Sequence, residues 1–141
     1  MKKPVILTIR GQQSYSEQEP ETVELVTEGT LERVGGGWRL TYEESDLTGL
    51  SGVTTSFLAE PGKITLSRKG PLRSEMVFQE GMVHESLYQM EFGALMISVC
   101  ANHVSYRIGE TGGTIDLIYA IEIEQSAAGT IEYHLDIQMK Q

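Results

Sequence analysis

Apolar and polar residues alternate in period two along almost the whole chain, and that pattern excludes helices as its main element. The clearest case is TIDLIYAIEIE. Ile115, Leu117, Tyr119, Ile121 and Ile123 fall on one face, and Thr114, Asp116, Glu122 and Glu124 on the other. Ile118 and Ala120 are apolar exceptions on the polar face. The C-terminal segment repeats the pattern: Ile131, Tyr133, Leu135, Ile137 and Met139 alternate with Glu132, His134, Asp136 and Gln138. QSAAG joins the two segments, so they are expected to pair antiparallel. Placing Ile123 opposite Ile131 puts the alternating apolar residues of both on one face, and a slip of one residue would destroy that match.

The same grammar extends to the N-terminus. Val5, Leu7 and Ile9 alternate with Ile6, Thr8 and Arg10. ETVELVTEGTLERV and WRLTYEES follow, joined at Gly35-Gly36-Gly37, where glycine accepts positive φ. A tight turn there pairs Leu31 with Leu40, Glu32 with Arg39, and Arg33 with Trp38 in cation–π distance. Further strand-like runs are separated by Pro61-Gly62, Gly70-Pro71, Glu80-Gly81, Phe92-Gly93 and the GETGG of 109–113. The polar run GQQSYSEQEPE at 11–21 reads as a loop. About ten short strands result, with no room for crossover helices. The expected fold is all-β: a single antiparallel up-and-down barrel of about 8–10 strands over residues 1–141, because closure removes exposed edges. A sandwich is the alternative.

Twenty acidic residues against eleven basic ones give a net charge of −9. That balance argues against nucleic acid, which needs clustered cations to neutralise phosphate, and against anionic membrane surfaces. The single cysteine, Cys100, allows no intrachain disulfide and suits a reducing, cytoplasmic compartment. MKKPVILTIR is too short for a signal-peptide core, and no window is apolar enough for a membrane helix.

The run GLSGVTTSFLAEPGKITLSRKGPLRSEMVFQEGMVHESLYQMEFGALMISV resembles the YwiB-like family of small bacterial proteins of unknown function. The matched features are Thr54-Thr55, Arg68 with Gly70, Met76-Val77-Phe78 before Glu80-Gly81, then His84, Ser86, Tyr88 and Phe92-Gly93. GGTIDLIYAIEIE extends the likeness, which runs from about Val5 to Met139. The resemblance implies a calycin-type, lipocalin-like β-barrel and no particular activity. One departure is Gln89-Met90-Glu91, where the family reads Thr-Pro before its aromatic-Gly pair. Gly36-Gly37-Trp38 also spells the lipocalin G-x-W pattern, although on the third strand rather than the first.

The candidate site lies on the segment from Met76 to Gly93. A two-residue turn at Glu80-Gly81 pairs Phe78 with Val83 and Val77 with His84. Met76, Phe78, Val83 and Leu87 then share one face, and Met82, His84, Ser86, Tyr88 and Met90 the other. The preceding turn sets Arg68 opposite Arg73, which gathers Arg68, Arg73, Glu75, His84, Ser86 and Tyr88 on one face. Arg68, Arg73, His84, Ser86 and Tyr88 are the ligand-binding candidates. Arg68, His84 and Tyr88 would anchor an acidic or amphipathic small molecule, with Ile64, Leu66 and Met82 along its body.

The catalytic and metal alternatives are weaker. Glu43 and Glu44 face apart as neighbours on a strand, and no nucleophile elbow occurs. Glu122 and Glu132 are expected opposite each other on the outer face. Cys100 and His103 are expected on opposite faces, with Cys100 a buried small apolar residue. No metal or cofactor is therefore expected, and binding is favoured over catalysis. The second functional reading is a protein-interaction module or homodimer with a filled barrel, motivated by Ile118 and Ala120.

Overall fold

A computed structural model describes residues 2–14, 21–45, 50–124 and 126–140, with only the backbone of 127 and 128. Among the described residues ten strands form one sheet: β1 (Lys2–Ser14), β2 (Glu21–Val34), β3 (Gly37–Glu43), β4 (Thr54–Glu60), β5 (Lys63–Lys69), β6 (Ser74–Phe78), β7 (Val83–Met90), β8 (Gly93–Gly109), β9 (Gly112–Ile123) and β10 (Ser126–Met139). The order is β6-β5-β4-β3-β2-β1-β10-β9-β8-β7, every ladder antiparallel. The meander therefore curls into a nearly closed lipocalin-like barrel whose seam lies between β6 and β7. β1 takes in Gly11–Ser14, the start of the polar run expected to be a loop; residues 15–20 lie outside the described residues.

The β2–β3 hairpin has the expected register. Leu31 pairs with Leu40, Glu32 with Arg39, and Arg33 with Trp38, the guanidinium 5.5 Å from the indole centroid. The β9–β10 pair has the expected face and a different register. Ile131 lies opposite Tyr119, not Ile123. A tighter turn sets Ile123 opposite Ser126, and a bulge between Ala127 and Gly129 restores parity. Glu132 consequently faces Ile118, and Glu122 faces Ala127, so the expected glutamate pair does not form.

The β6–β7 hairpin expected at Glu80-Gly81 does not form a ladder. Continued from a two-residue turn, it would have carried Val83 and Glu85 inward beside Phe78 and Met76, burying a lone carboxylate in the core. Instead the corner turns toward β8: Gly81 N donates to Ala101 O at 3.0 Å, and the Glu80 carboxylate accepts from Val104 N at 2.9 Å. At the other end of the seam, Arg73 and Gln89 exchange two backbone hydrogen bonds of 2.8 Å. Met76 and Phe78 thus face inward together with His84, Ser86 and Tyr88, while Val83, Glu85 and Leu87 face out. Met82 is exposed, not part of a ligand wall.

One end of the barrel is filled by side chains such as Leu7, Leu31, Leu40, Phe57, Phe78 and Leu135, all almost fully buried. Ile64 and Leu66 belong to this core. Each such side chain contributes about 1.5–3 kcal/mol of transfer free energy. Two tilted ring pairs mark where the solid core ends. Phe78 and Tyr119 have centroids 4.6 Å apart. Phe57 and Tyr133 have centroids 5.8 Å apart.

Candidate functional site

Beyond those rings the barrel opens into a cavity of about 530 Å³. It lies at the end formed by the C-terminal halves of β1, β3, β5, β7 and β9. Ile9, Leu25, Ile97, Ile121 and Ile131 supply apolar wall, and Met76 and Leu95 complete it near the seam. These residues line the cavity because strict alternation sends every second side chain of each strand inward.

The floor is polar. β4, β5 and β6 place Thr55, Arg68 and Ser74 in one cross-strand row, and Tyr42 lies opposite Thr55 on β3. Glu44 follows β3 directly and is held there by its N–H, which donates to Val53 O at 2.9 Å. Its carboxylate Oε2 accepts from Thr55 Oγ1 at 2.5 Å and lies 3.9 Å from Arg68 Nε. The Glu44 side chain is 2% exposed and that of Arg68 17%. Among the described residues, Arg68 Nε and Ser74 Oγ are buried without a hydrogen-bond partner. Buried polar atoms are rarely left so. Of the two, Arg68 Nε belongs to a residue that lines the cavity.

Phenols surround this pair. Tyr42 and Tyr133 hydroxyls meet at 3.4 Å, and Tyr119 and Tyr88 also reach the cavity. Burial pushes the Tyr42, Tyr119 and Tyr133 hydroxyls above the ordinary phenol range, so all three stay neutral. They serve as hydrogen-bonding groups, not bases.

Of the sequence-derived candidates, Arg68 and Tyr88 line the cavity. His84 and Ser86 face the same way on β7 but stand half-buried deeper along the strand, His84 Nε2 2.7 Å from Gln79 Oε1. Arg73 and Glu75 are exposed and point away, because Arg68 pairs with Ser74 rather than Arg73. Glu44, Tyr42 and Tyr133 also line the cavity and Thr55 bonds Glu44, and none of the four is among those candidates. Parity is the signal that could have found Glu44: Leu40, Tyr42 and Glu44 share one face, so the inward set continues into the carboxylate.

On the outer wall the His134 imidazole lies between two carboxylates, Nδ1 on Asp116 and Nε2 3.2 Å from Asp136. The hydrogen bond with Asp116 lifts its pKa above the ordinary histidine value, against a smaller desolvation effect. A bulge between Ala101 and His103 sets Cys100 and His103 on the same, outer face, opposite Ala120 and Ile118; Cys100 is half-buried there. Among the described residues no three His, Cys, Asp or Glu side chains converge as a metal site would require.

Residues 7–137 match a family model described as Domain of unknown function (DUF1934). The chain belongs to that family. Its fold is that of the ywiB protein from Bacillus subtilis, whose crystal structure superposes with a TM-score of 0.89 at 18% sequence identity, over 99% of this chain and 94% of that one. No curated protein matches the chain. Among the described residues no helix is long and apolar enough to cross a membrane.

Proposed function

We propose that this DUF1934 barrel binds a small amphipathic molecule without transforming it. The observation that carries the reading is Arg68, a cavity-lining cation whose buried Nε has no hydrogen-bond partner among the described residues, set beside Glu44 in a mostly apolar wall. A hydrogen-bond-accepting headgroup would lie against Arg68, and an apolar body against Ile97, Ile121 and Ile131. The cavity volume is about 530 Å³. That size suits a small-molecule site, as does the mix of apolar wall and few directed polar groups. Native mass spectrometry of protein freshly purified from its own cells tests this. The expected spectrum holds a population heavier than the chain, lost in Arg68→Gln; bare chain alone, together with no binding of any amphiphile offered, would overturn it.

The second reading is a homo-oligomeric interaction module. It draws on the exposed Val83, Leu87 and Met96 of the β7–β8 hairpin, Leu87 and Met96 being direct cross-strand partners. Ile118 and Ala120 are half-buried on the outer wall. A single monomeric boundary in sedimentation velocity at micromolar concentration would count against it.

A further inference from the structure

We propose that the ligand's headgroup is zwitterionic, of the α-amino-acid type, its anionic part received by Arg68 and its cationic part by Glu44. This rests on the binding reading above and names the chemical class that the same site would take.

The floor carries one charge of each sign, 3.9 Å apart, paired electrostatically and with hydrogen-bonding capacity left over on Arg68. The contact is too long to be a hydrogen bond, and Arg68 Nε has no other partner among the described residues. Thr55 donates to Glu44 Oε2, and Glu44 itself lines the cavity, where its carboxylate would meet a cationic donor. A simple anion placed on Arg68 would therefore sit within a few ångströms of a carboxylate that is almost wholly removed from water, and the repulsion there is poorly screened. A simple cation on Glu44 meets the converse objection from Arg68. A headgroup carrying both charges on neighbouring atoms avoids both costs. An α-amino acid has that layout, its ammonium and carboxylate attached to one carbon, which suits a cation and an anion at this separation.

The neutral phenols support the same class. Tyr42 and Tyr133 offer hydroxyls that donate to a carboxylate or accept from an ammonium and add no net charge. The apolar wall then selects an amino acid with a long apolar body over a free polar one.

Isothermal titration calorimetry with four probes of matched chain tests the inference: decanoate, decylamine, decanamide and α-aminodecanoate. The wild-type protein is expected to bind α-aminodecanoate roughly tenfold or more tighter than the other three, the scale of one added charge-assisted hydrogen bond. Glu44→Gln should move the preference to decanoate, and Arg68→Gln should move it to decylamine. Thermal melts establish that each variant is folded before titration. Wild-type preference for decanoate, or an unchanged order of probes in folded Glu44→Gln, would overturn the zwitterion and leave amphiphile binding standing. Failure of all four probes would overturn both.

Discussion

Removing the cation from the cavity floor should expose how strongly Glu44 depends on it. Arg68→Met keeps an unbranched apolar stem in place of the arginine's own. It leaves the Glu44 carboxylate, 2% exposed, with Thr55 as its remaining partner. Stranding a buried charge typically costs about 3–5 kcal/mol. The pair is 3.9 Å apart and borders a cavity that water can enter. The lower end, about 3 kcal/mol, therefore applies. Glu44→Gln alone should cost only about 1 kcal/mol. The better exposed arginine can turn to the cavity, and Thr55 keeps an amide oxygen. The double variant should recover most of the Arg68→Met loss and stand about 1 kcal/mol below wild type, giving a coupling of about 3 kcal/mol. Urea unfolding measures all three: for a slope of about 2 kcal/mol/M, Arg68→Met should lower the midpoint by roughly 1.5 M. An Arg68→Met midpoint within about 0.25 M of wild type, or simple additivity in the double variant, would show that water already hydrates Glu44 and that the pair is not the floor described above.

Gly37→Ala should be among the most damaging small changes, because the new Cβ would sit 2.0 Å from the Ala59 carbonyl oxygen, a backbone atom. A loss above about 3 kcal/mol is expected by chemical denaturation. Phe57 is 1% exposed and Phe92 95%. In the same assay Phe57→Ala should cost about 3–5 kcal/mol. Phe92→Ala should cost about 0.5 kcal/mol or less, as exposed sites do. His134 should titrate above 6.5 in proton NMR. The sign follows: its small stabilising contribution is complete below pH 6.5 and is lost as pH rises through the raised value. Asp116→Asn should bring that titration down toward 6.5, the hydrogen bond to Asp116 being the largest cause.

The barrel is legible in the sequence because alternation specifies faces even where it leaves register open. Ile131 meets Tyr119 rather than Ile123, yet both strands keep their apolar face inward, since the bulge at Ala127–Gly129 absorbs the odd residue. The same logic fails at β6–β7. There the turn dipeptide Glu80-Gly81 favours a hairpin, and what overrides it is tertiary: Glu85 would be buried, and β8 offers Ala101 O and Val104 N instead. Local chemistry carries no record of that competition. Arg68 and Tyr88 stand out in the sequence as part of a polar cluster with Arg73, His84 and Ser86, three residues that do not line the cavity. Tyr119 and Tyr133 merge with the apolar face, which hides their hydroxyls. Glu43 and Glu44 do face apart, one exposed and one buried, so they make no dyad, and it is the buried one that lines the cavity.

The central claim, that the open end of this barrel is a ligand cavity, is tested most directly by methyl NMR during titration with α-aminodecanoate. The predicted result is saturable shifts of the Ile97, Ile121 and Ile131 methyl groups, with the core Leu7 and the outer Val83 and Leu87 unmoved. Shifts confined to Val83, Leu87 and Met96 would place the ligand on the outer wall and contradict it.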